Sequence, residues 1–136
     1  MVSLLVNIDV PDIEASVTFY TRALGLTVGR RLGASVVELV GGSSPIYLLE
    51  KTAGSVPGAG VGGRRYGRHW TPVHLDVAVE DLDAALARAV EAGAVREREV
   101  EAHAWGRIGY LADPFGNGFC LLQFSARGYD AIADAG

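Results

Sequence analysis

Residues 5–23, LVNIDVPDIEASVTFYTRA, return in altered form as residues 74–92, HLDVAVEDLDAALARAVEA, 69 positions later. A repeat constrains the fold more than any other feature of this chain, because each copy must be one supersecondary unit. At this offset Asp12 falls on Asp81, Ile13 on Leu82, Glu14 on Asp83 and Ala15 on Ala84. Each copy opens with a short strand-like run. Asp12 and Asp81 then stand where a helix N-cap belongs. Ile13, Val17, Tyr20 and Leu24 form an apolar stripe at helical spacing, and so do Leu82, Leu86, Ala89 and Val90. Gly25 and Gly93 follow as C-caps. The ends of the halves also match: Pro45-Ile46-Tyr47-Leu48-Leu49-Glu50 aligns with Gly118-Phe119-Cys120-Leu121-Leu122-Gln123 at an offset of 73. Between helix and last strand each half has room for two more strands, at 26–32 and 34–40 in the first and at 94–101 and 105–112 in the second. Both halves therefore read β-α-β-β-β, and the fold class is α+β.

Glycine divides the halves. The chain has 18 glycines in 136 residues, about 13% against a usual ~7%. Six of them lie between Ala53 and Gly67. That composition suits neither helix nor strand, so residues 51–68 read as an exposed linker. Module one is 1–50 and module two is 69–125. A tail over 126–136 has room for one short helix around Tyr129–Ala133. Gly58, Gly60 and Gly63 match a dinucleotide-binding spacing, but no strand precedes them and no helical stripe follows. Arg64, Arg65, Arg68 and His69 read as a solvated basic patch.

Composition excludes several partners. Twelve Lys and Arg against 16 Asp and Glu give a net charge of −4, which disfavours nucleic acid. No run of 18 apolar residues exists to span a membrane. Met1 to Val10 lacks the basic, then apolar, order of a signal peptide. The single cysteine, Cys120, excludes an intrachain disulfide and fits a reducing compartment. The expected location is cytoplasmic.

Val10-Pro11-Asp12, Phe19-Tyr20, Leu24-Gly25-Leu26, His74-Leu75-Asp76-Val77, Asp81-Leu82-Asp83 and Asp113-Pro114-Phe115-Gly116-Asn117 carry a family resemblance over about residues 1–125. The chain resembles the vicinal oxygen chelate superfamily, which includes glyoxalase I, fosfomycin-resistance proteins, extradiol dioxygenases and bleomycin-binding proteins. The Asp-Pro-x-Gly turn before the last strand is its most specific element. The resemblance implies a single domain in which two β-α-β-β-β modules form a curved mixed sheet with helices on the convex face. It also implies module pairing within or between chains. With the positive mean hydropathy, this leads to the expectation of a homodimer.

In the metal-binding members, ligands stand on the first and last strand of each module, usually His or Gln, then Glu, His and Glu. Carried over, these positions are Leu5, Tyr47, His74 and Cys120. Leu5 has no donor, and Tyr47 suits Mg, Mn or Ni poorly. His74 and Cys120 alone make two ligands, against three in a typical catalytic zinc site. Asp76, Asp9, Asn7, Glu50 and His103 remain as donors for a displaced site. The expectation is no metal and no cofactor. The family's metal-dependent lyase, glutathione-type transferase or dioxygenase chemistry through His74 stands as the alternative.

Strand parity puts His74 and Asp76 on one side of their strand. The same parity sets Tyr47 with Leu49 and Cys120 with Leu122. The expected site is a shared concave pocket formed by Asn7, Tyr47, His74, Asp76 and Cys120, with Trp70 or Trp105 near its mouth. It would take a small organic molecule, as the drug-sequestering relatives do. Asp76 and the negative net charge favour a cationic or hydrogen-bond-donating compound. A further alternative uses His74 and Asp76 as a metal-free acid–base pair.

Overall fold

The computed structural model describes residues 1–135. Gly136, the last residue of the expected tail, lies outside the described residues. The chain divides into two compact units, Met1–Gly67 and a second beginning at Arg68.

The first unit holds β1 (Val6–Val10), α1 (Ile13–Leu24), β2 (Thr27–Arg31), β3 (Val36–Val40) and β4 (Ile46–Glu50). Its sheet runs β1-β4-β3-β2, with β1 and β4 parallel and the other pairs antiparallel. The second unit holds β5 (Leu75–Ala78), α2 (Leu82–Ala92), β6 (Val95–Arg96), β7 (Glu101–His103), β8 (Gly106–Ala112), β9 (Gly118–Phe124) and a short 3-10 helix over Gly128–Ala131. Its sheet runs β5-β9-β8-β6, with β7 also paired to β8. The fold class is α+β as expected, with two open, curved mixed sheets.

The helix caps are those the repeat implied, with one addition. Asp12 Oδ1 accepts the Ala15 amide at 3.0 Å and Asp81 Oδ1 accepts that of Ala84 at 3.1 Å. A second orphan amide at each helix start reaches the last strand. Ile13 N–H donates to Glu50 Oε2 at 2.8 Å, and Leu82 N–H donates to Gln123 Oε1 at 2.9 Å. Glu50 and Gln123 are the aligned ends of the two modules, so the repeat preserves a long-range cap.

Each helix covers one face of its sheet. In the first unit Val10, Val37, Leu39, Ile46 and Leu48 are buried with Ile13, Val17, Phe19 and Tyr20 of α1. In the second, Leu111, Phe119 and Leu121 are buried with Leu82, Leu86 and Ala89 of α2. Gly109 lets α2 approach closely, because a Cβ there would stand 2.8 Å from the Leu86 side chain. Val90, expected in the buried stripe, is exposed. The buried face of α2 is set by Leu82, Leu86 and Ala89, and Val90 lies a further 100° round the helix.

The strand expected at 94–101 is broken. β6 pairs Arg96 with Leu111, while β7 pairs Glu101 with Ile108. Five positions separate the two residues on one strand and three on its partner, so two residues bulge outward. The segment 51–67 is exposed, as a linker would be, but it folds back on the first unit. The Gly54 amide donates to the Arg64 carbonyl at 2.8 Å, and Arg64 Nε donates to Asp9 Oδ2 at 2.7 Å. The Tyr66 hydroxyl donates to the Lys51 carbonyl at 2.6 Å. No helix among the described residues is long and apolar enough to cross a membrane.

Candidate functional site

The sheet face away from each helix carries the polar residues. Register makes this explicit. In the first unit Asn7 pairs with Tyr47, and Tyr47 with Glu38, forming one cross-strand row. In the second Asp76 pairs with Cys120, and Cys120 with Tyr110. Residues paired across strands share a face, so Tyr47 and Cys120 lie on the side opposite the helices.

The row in the first unit is closed by its own contacts. At a bulge between Val28 and Arg31 the exposed Arg30 side chain lies over this row, and its guanidinium clamps Glu38 at 3.0 and 2.6 Å. The Tyr47 hydroxyl donates to Glu38 Oε2 at 2.7 Å and accepts from Arg30 at 3.2 Å. Gly29 leaves the space that the Glu38 carboxylate fills; a Cβ there would stand 2.6 Å from Oε1. Asn7 is exposed beside Tyr47.

The Arg30 fork, and then the Tyr47 hydroxyl, hold the Glu38 carboxyl at about 2, down from the usual 4.5. A depressed carboxyl stabilises the fold above its unfolded value, and this contribution is lost as pH falls through the folded one. The thermal midpoint is therefore expected to drop more steeply between pH 4.5 and 2 in the wild type than in Glu38→Gln. Parallel profiles in acid would refute this role.

The row in the second unit lies beside a pocket of about 220 Å³. Arg68, Trp70, His74, Glu97, Arg98, Tyr110, Gly118 and Cys120 are among its lining residues. Several are placed by a specific local device. The two-residue bulge frees Arg98, whose guanidinium lies 3.6 Å from the Tyr110 ring centroid. The Tyr110 hydroxyl donates to Glu101 Oε1 at 3.0 Å, and burial followed by that carboxylate pushes its pKa up. Arg68 grips Glu97 at 2.6 and 2.9 Å, which lowers the Glu97 carboxyl. Gly118 leaves the Arg68 guanidinium its place, since a Cβ at 118 would collide with it.

His74 stands just before β5, and its Nε2 lies 3.1 Å from Asp76 Oδ1, so both project to one side as strand parity predicted. Cys120 is buried with Ile108 and Leu122, against which Trp105 and Tyr110 pack. Burial, and then the nearby Asp76 carboxylate, push its thiol up to about 11. At neutral pH it is a protonated thiol, not a nucleophile.

The two tryptophans part company. Trp70 is exposed on the pocket wall. Trp105 stacks on His103 at 5.2 Å and meets Phe124 and Tyr129 at 6.2 and 5.4 Å, making an aromatic cluster with the C-terminal 3-10 helix. Of the residues singled out from the sequence, Trp70, His74 and Cys120 line this pocket, and Asp76 touches it through His74 at 3.1 Å. Asn7 and Tyr47 belong to the first unit. Tyr110, which the sequence left open between the core and the concave face, is also on the wall, whereas Arg98 and Glu97 were missed as wall residues. The only available signal was their alternation along the paired strands, which the bulge interrupts.

The family's usual metal ligands are not reproduced. Leu5 is exposed and carries no donor, and the Tyr47 hydroxyl is engaged by Glu38 and Arg30. The His74, Asp76 and Cys120 donor atoms do converge, all within 4.8 Å of one another.

Comparisons with known proteins agree with this architecture. A crystal structure of a glyoxalase/bleomycin resistance protein/dioxygenase from Nocardioides superposes with a TM-score of 0.69 at 21% identity, covering 100% of this chain and 90% of that one. A glyoxalase/bleomycin resistance protein from Albidiferax ferrireducens gives 0.65 at 25%, covering 92% and 99%. Lactoylglutathione lyase from Agrobacterium tumefaciens gives 0.64 at 18%, covering 90% and 92%. An uncharacterized protein of Mycobacterium bovis is 44% identical over 54 residues, 39% of this chain and 36% of that protein. The matched stretch is thus about a third of that relative's length. The sequence model of a family described as a glyoxalase-like domain matches residues 5–122. With that match over most of the chain, on two β-α-β-β-β modules, the protein belongs to the glyoxalase-like domain family.

Proposed function

We propose that the protein binds a small organic molecule in the pocket of its second unit, without the family's four-ligand metal centre. The observation that carries this reading is the Arg98 guanidinium seated on the Tyr110 ring beside the pocket. A cavity of about 220 Å³ lies below the usual range for drug-sized ligands, ~300–1,000 Å³, so the ligand is compact. Glu97 is neutralised by Arg68 at 2.6 Å, while Arg98 makes only a long contact, 3.5 Å, with Glu101. The pocket therefore presents more donor than acceptor character. A flat ligand with a carboxylate or comparable acceptor group fits it. We set this against the cationic preference, which rested on the net charge of −4 and on Asp76, a residue paired with His74 at 3.1 Å.

Trp70 supplies the reporter. Titration in EDTA with small aromatic carboxylates is expected to quench tryptophan fluorescence, and Arg98→Ala to weaken the response. Trp70→Phe should remove it. Quenching by the matching amines instead, or by neither series, would overturn the reading. The acid–base alternative is supported by the 3.1 Å His74–Asp76 contact; it requires a turnover that His74→Ala abolishes while binding survives. The same proposal takes the chain as a homodimer, supported by the resemblance and the apolar composition; light scattering at the mass of one chain would remove that part.

A further inference from the structure

We propose that a second cavity, between α2 and the broken strand β6–β7, is a binding site for an unbranched aliphatic monocarboxylate. It lies on the helix side of the second sheet, apart from the pocket beside Cys120, and does not rest on the function proposed for that pocket.

The cavity, of about 380 Å³, is lined by Asp83, Leu86, Ala87, Val90, Arg96 and Val100. Its volume falls within the ~300–1,000 Å³ usual for small-molecule sites. Asp83, Leu86, Ala87 and Val90 stand at i, i+3, i+4 and i+7, so they form one stripe along α2. Leu86 is buried, whereas Val90 is 43% exposed. The other wall comes from the bulge. Arg96 pairs with Leu111, and residues paired across strands share a face, so Arg96 belongs to the side that α2 covers. The ladder to β8 lapses after Glu97, whose amide donates to the Tyr110 carbonyl at 2.9 Å, and resumes at Glu101. Val100 falls inside that gap. Glu97 and Arg98 line the pocket on the opposite face. The bulge thus divides its residues between two cavities, and it leaves this flank of α2 without a strand packed along it.

Charge selects the head group. Asp83 is taken up by Arg107 at 2.9 and 3.4 Å. These bonds lower its carboxyl, and the charge of Arg96 adds to the effect. Two guanidinium groups therefore stand against one carboxylate, and the excess positive charge is that of Arg96. A guanidinium fork matches a carboxylate. A dianion such as a phosphate monoester would be repelled by Asp83, so a single negative charge fits better. Leu86, Ala87, Val90 and Val100 offer no polar side-chain atom, so the rest of the ligand is aliphatic. From Asp83 to Val90 the stripe runs ~10 Å along the helix axis, a length that suits octanoate.

The test titrates the isotope-labelled full chain with octanoate, far below its micelle concentration, and follows the backbone amide shifts. The expected result is saturable shifts centred on residues 83–90 and 96–100. Arg96→Gln should weaken binding roughly tenfold or more, and octylammonium should bind no better than octanoate binds that variant. Val90→Gln, also at an exposed position, should weaken it severalfold with an unchanged circular dichroism spectrum. Absence of saturable shifts, shifts centred on the pocket beside Cys120, equal binding of octylammonium, or unchanged affinity in Arg96→Gln would overturn the proposal. So would the same shifts on raising the protein concentration alone, since a second copy would then be the occupant. Arg96 and Val90 lie outside the pocket beside Cys120, so failure of either titration leaves the other standing.

Discussion

Asp113→Ala is expected to lower folding stability by about 3–5 kcal/mol, a large part of the ~5–15 kcal/mol typical of a domain. Asp113 is only 3% exposed, and its carboxylate organises the whole turn between β8 and β9. Oδ1 accepts the amides of Phe115 and Asn117 at 2.8 and 2.9 Å, and Oδ2 accepts the Asn117 side-chain amide at 2.9 Å. Bonds to a charged acceptor are worth roughly 1.5–3 kcal/mol each, and they are not additive. Removing the carboxylate also leaves buried donors unpaired, which is the dominant cost. Gly116 completes the turn at φ 90°, a left-handed conformation that other residues resist. Urea unfolding should show a lower midpoint with an unchanged slope. Asp113→Asn keeps one acceptor oxygen and should lose less. A loss under about 1 kcal/mol for the alanine variant would mean the turn is held by something else.

The same turn shows why the fold was legible in the sequence and the site only partly so. Cap, stripe and C-terminal glycine are local signals, and the structure has Asp12, Asp81, Gly25 and Gly93 in those roles. The repeat then gave strand order, because a second copy of a local pattern must solve the same burial problem. Register is different. That Asp76 stands opposite Cys120 depends on how far β5 slides along β9, and one residue of slip would have sent Asp76 to the helix-packed face. The bulge between β6 and β7 was equally invisible, since residues 94–101 alternate no worse than an unbroken strand. Yet that bulge delivers Arg98 to Tyr110, as the smaller one delivers Arg30 to Glu38 and Tyr47. The tie of the glycine-rich segment to the first sheet also escaped notice, because it rests on long-range contacts such as Arg64 with Asp9 and the Lys51 amide with the Val10 carbonyl.

Tyr110→Ala is expected to weaken binding of the aromatic carboxylates by roughly 10- to 100-fold, about 1.4–2.8 kcal/mol. Two losses combine. The ring is a wall of the pocket, and stacking area of that kind carries much of a small ligand's affinity. The ring is also the seat of Arg98, and a cation over an aromatic face is worth about 0.5–2 kcal/mol. Without it the guanidinium is left with its pairing to Glu101 at 3.5 Å, which can tighten and leave the ligand's acceptor group unpaired. Tyr110→Phe separates the two contributions. It keeps the ring and the seat while removing the hydroxyl bond to Glu101, so binding should fall by no more than about threefold, the scale of one exposed hydrogen bond. Arg98→Ala should fall between the two variants, because the wall remains. A Tyr110→Ala protein that binds as tightly as the wild type would show that the ligand does not use this wall. The functional reading would then have to leave the second unit's pocket altogether.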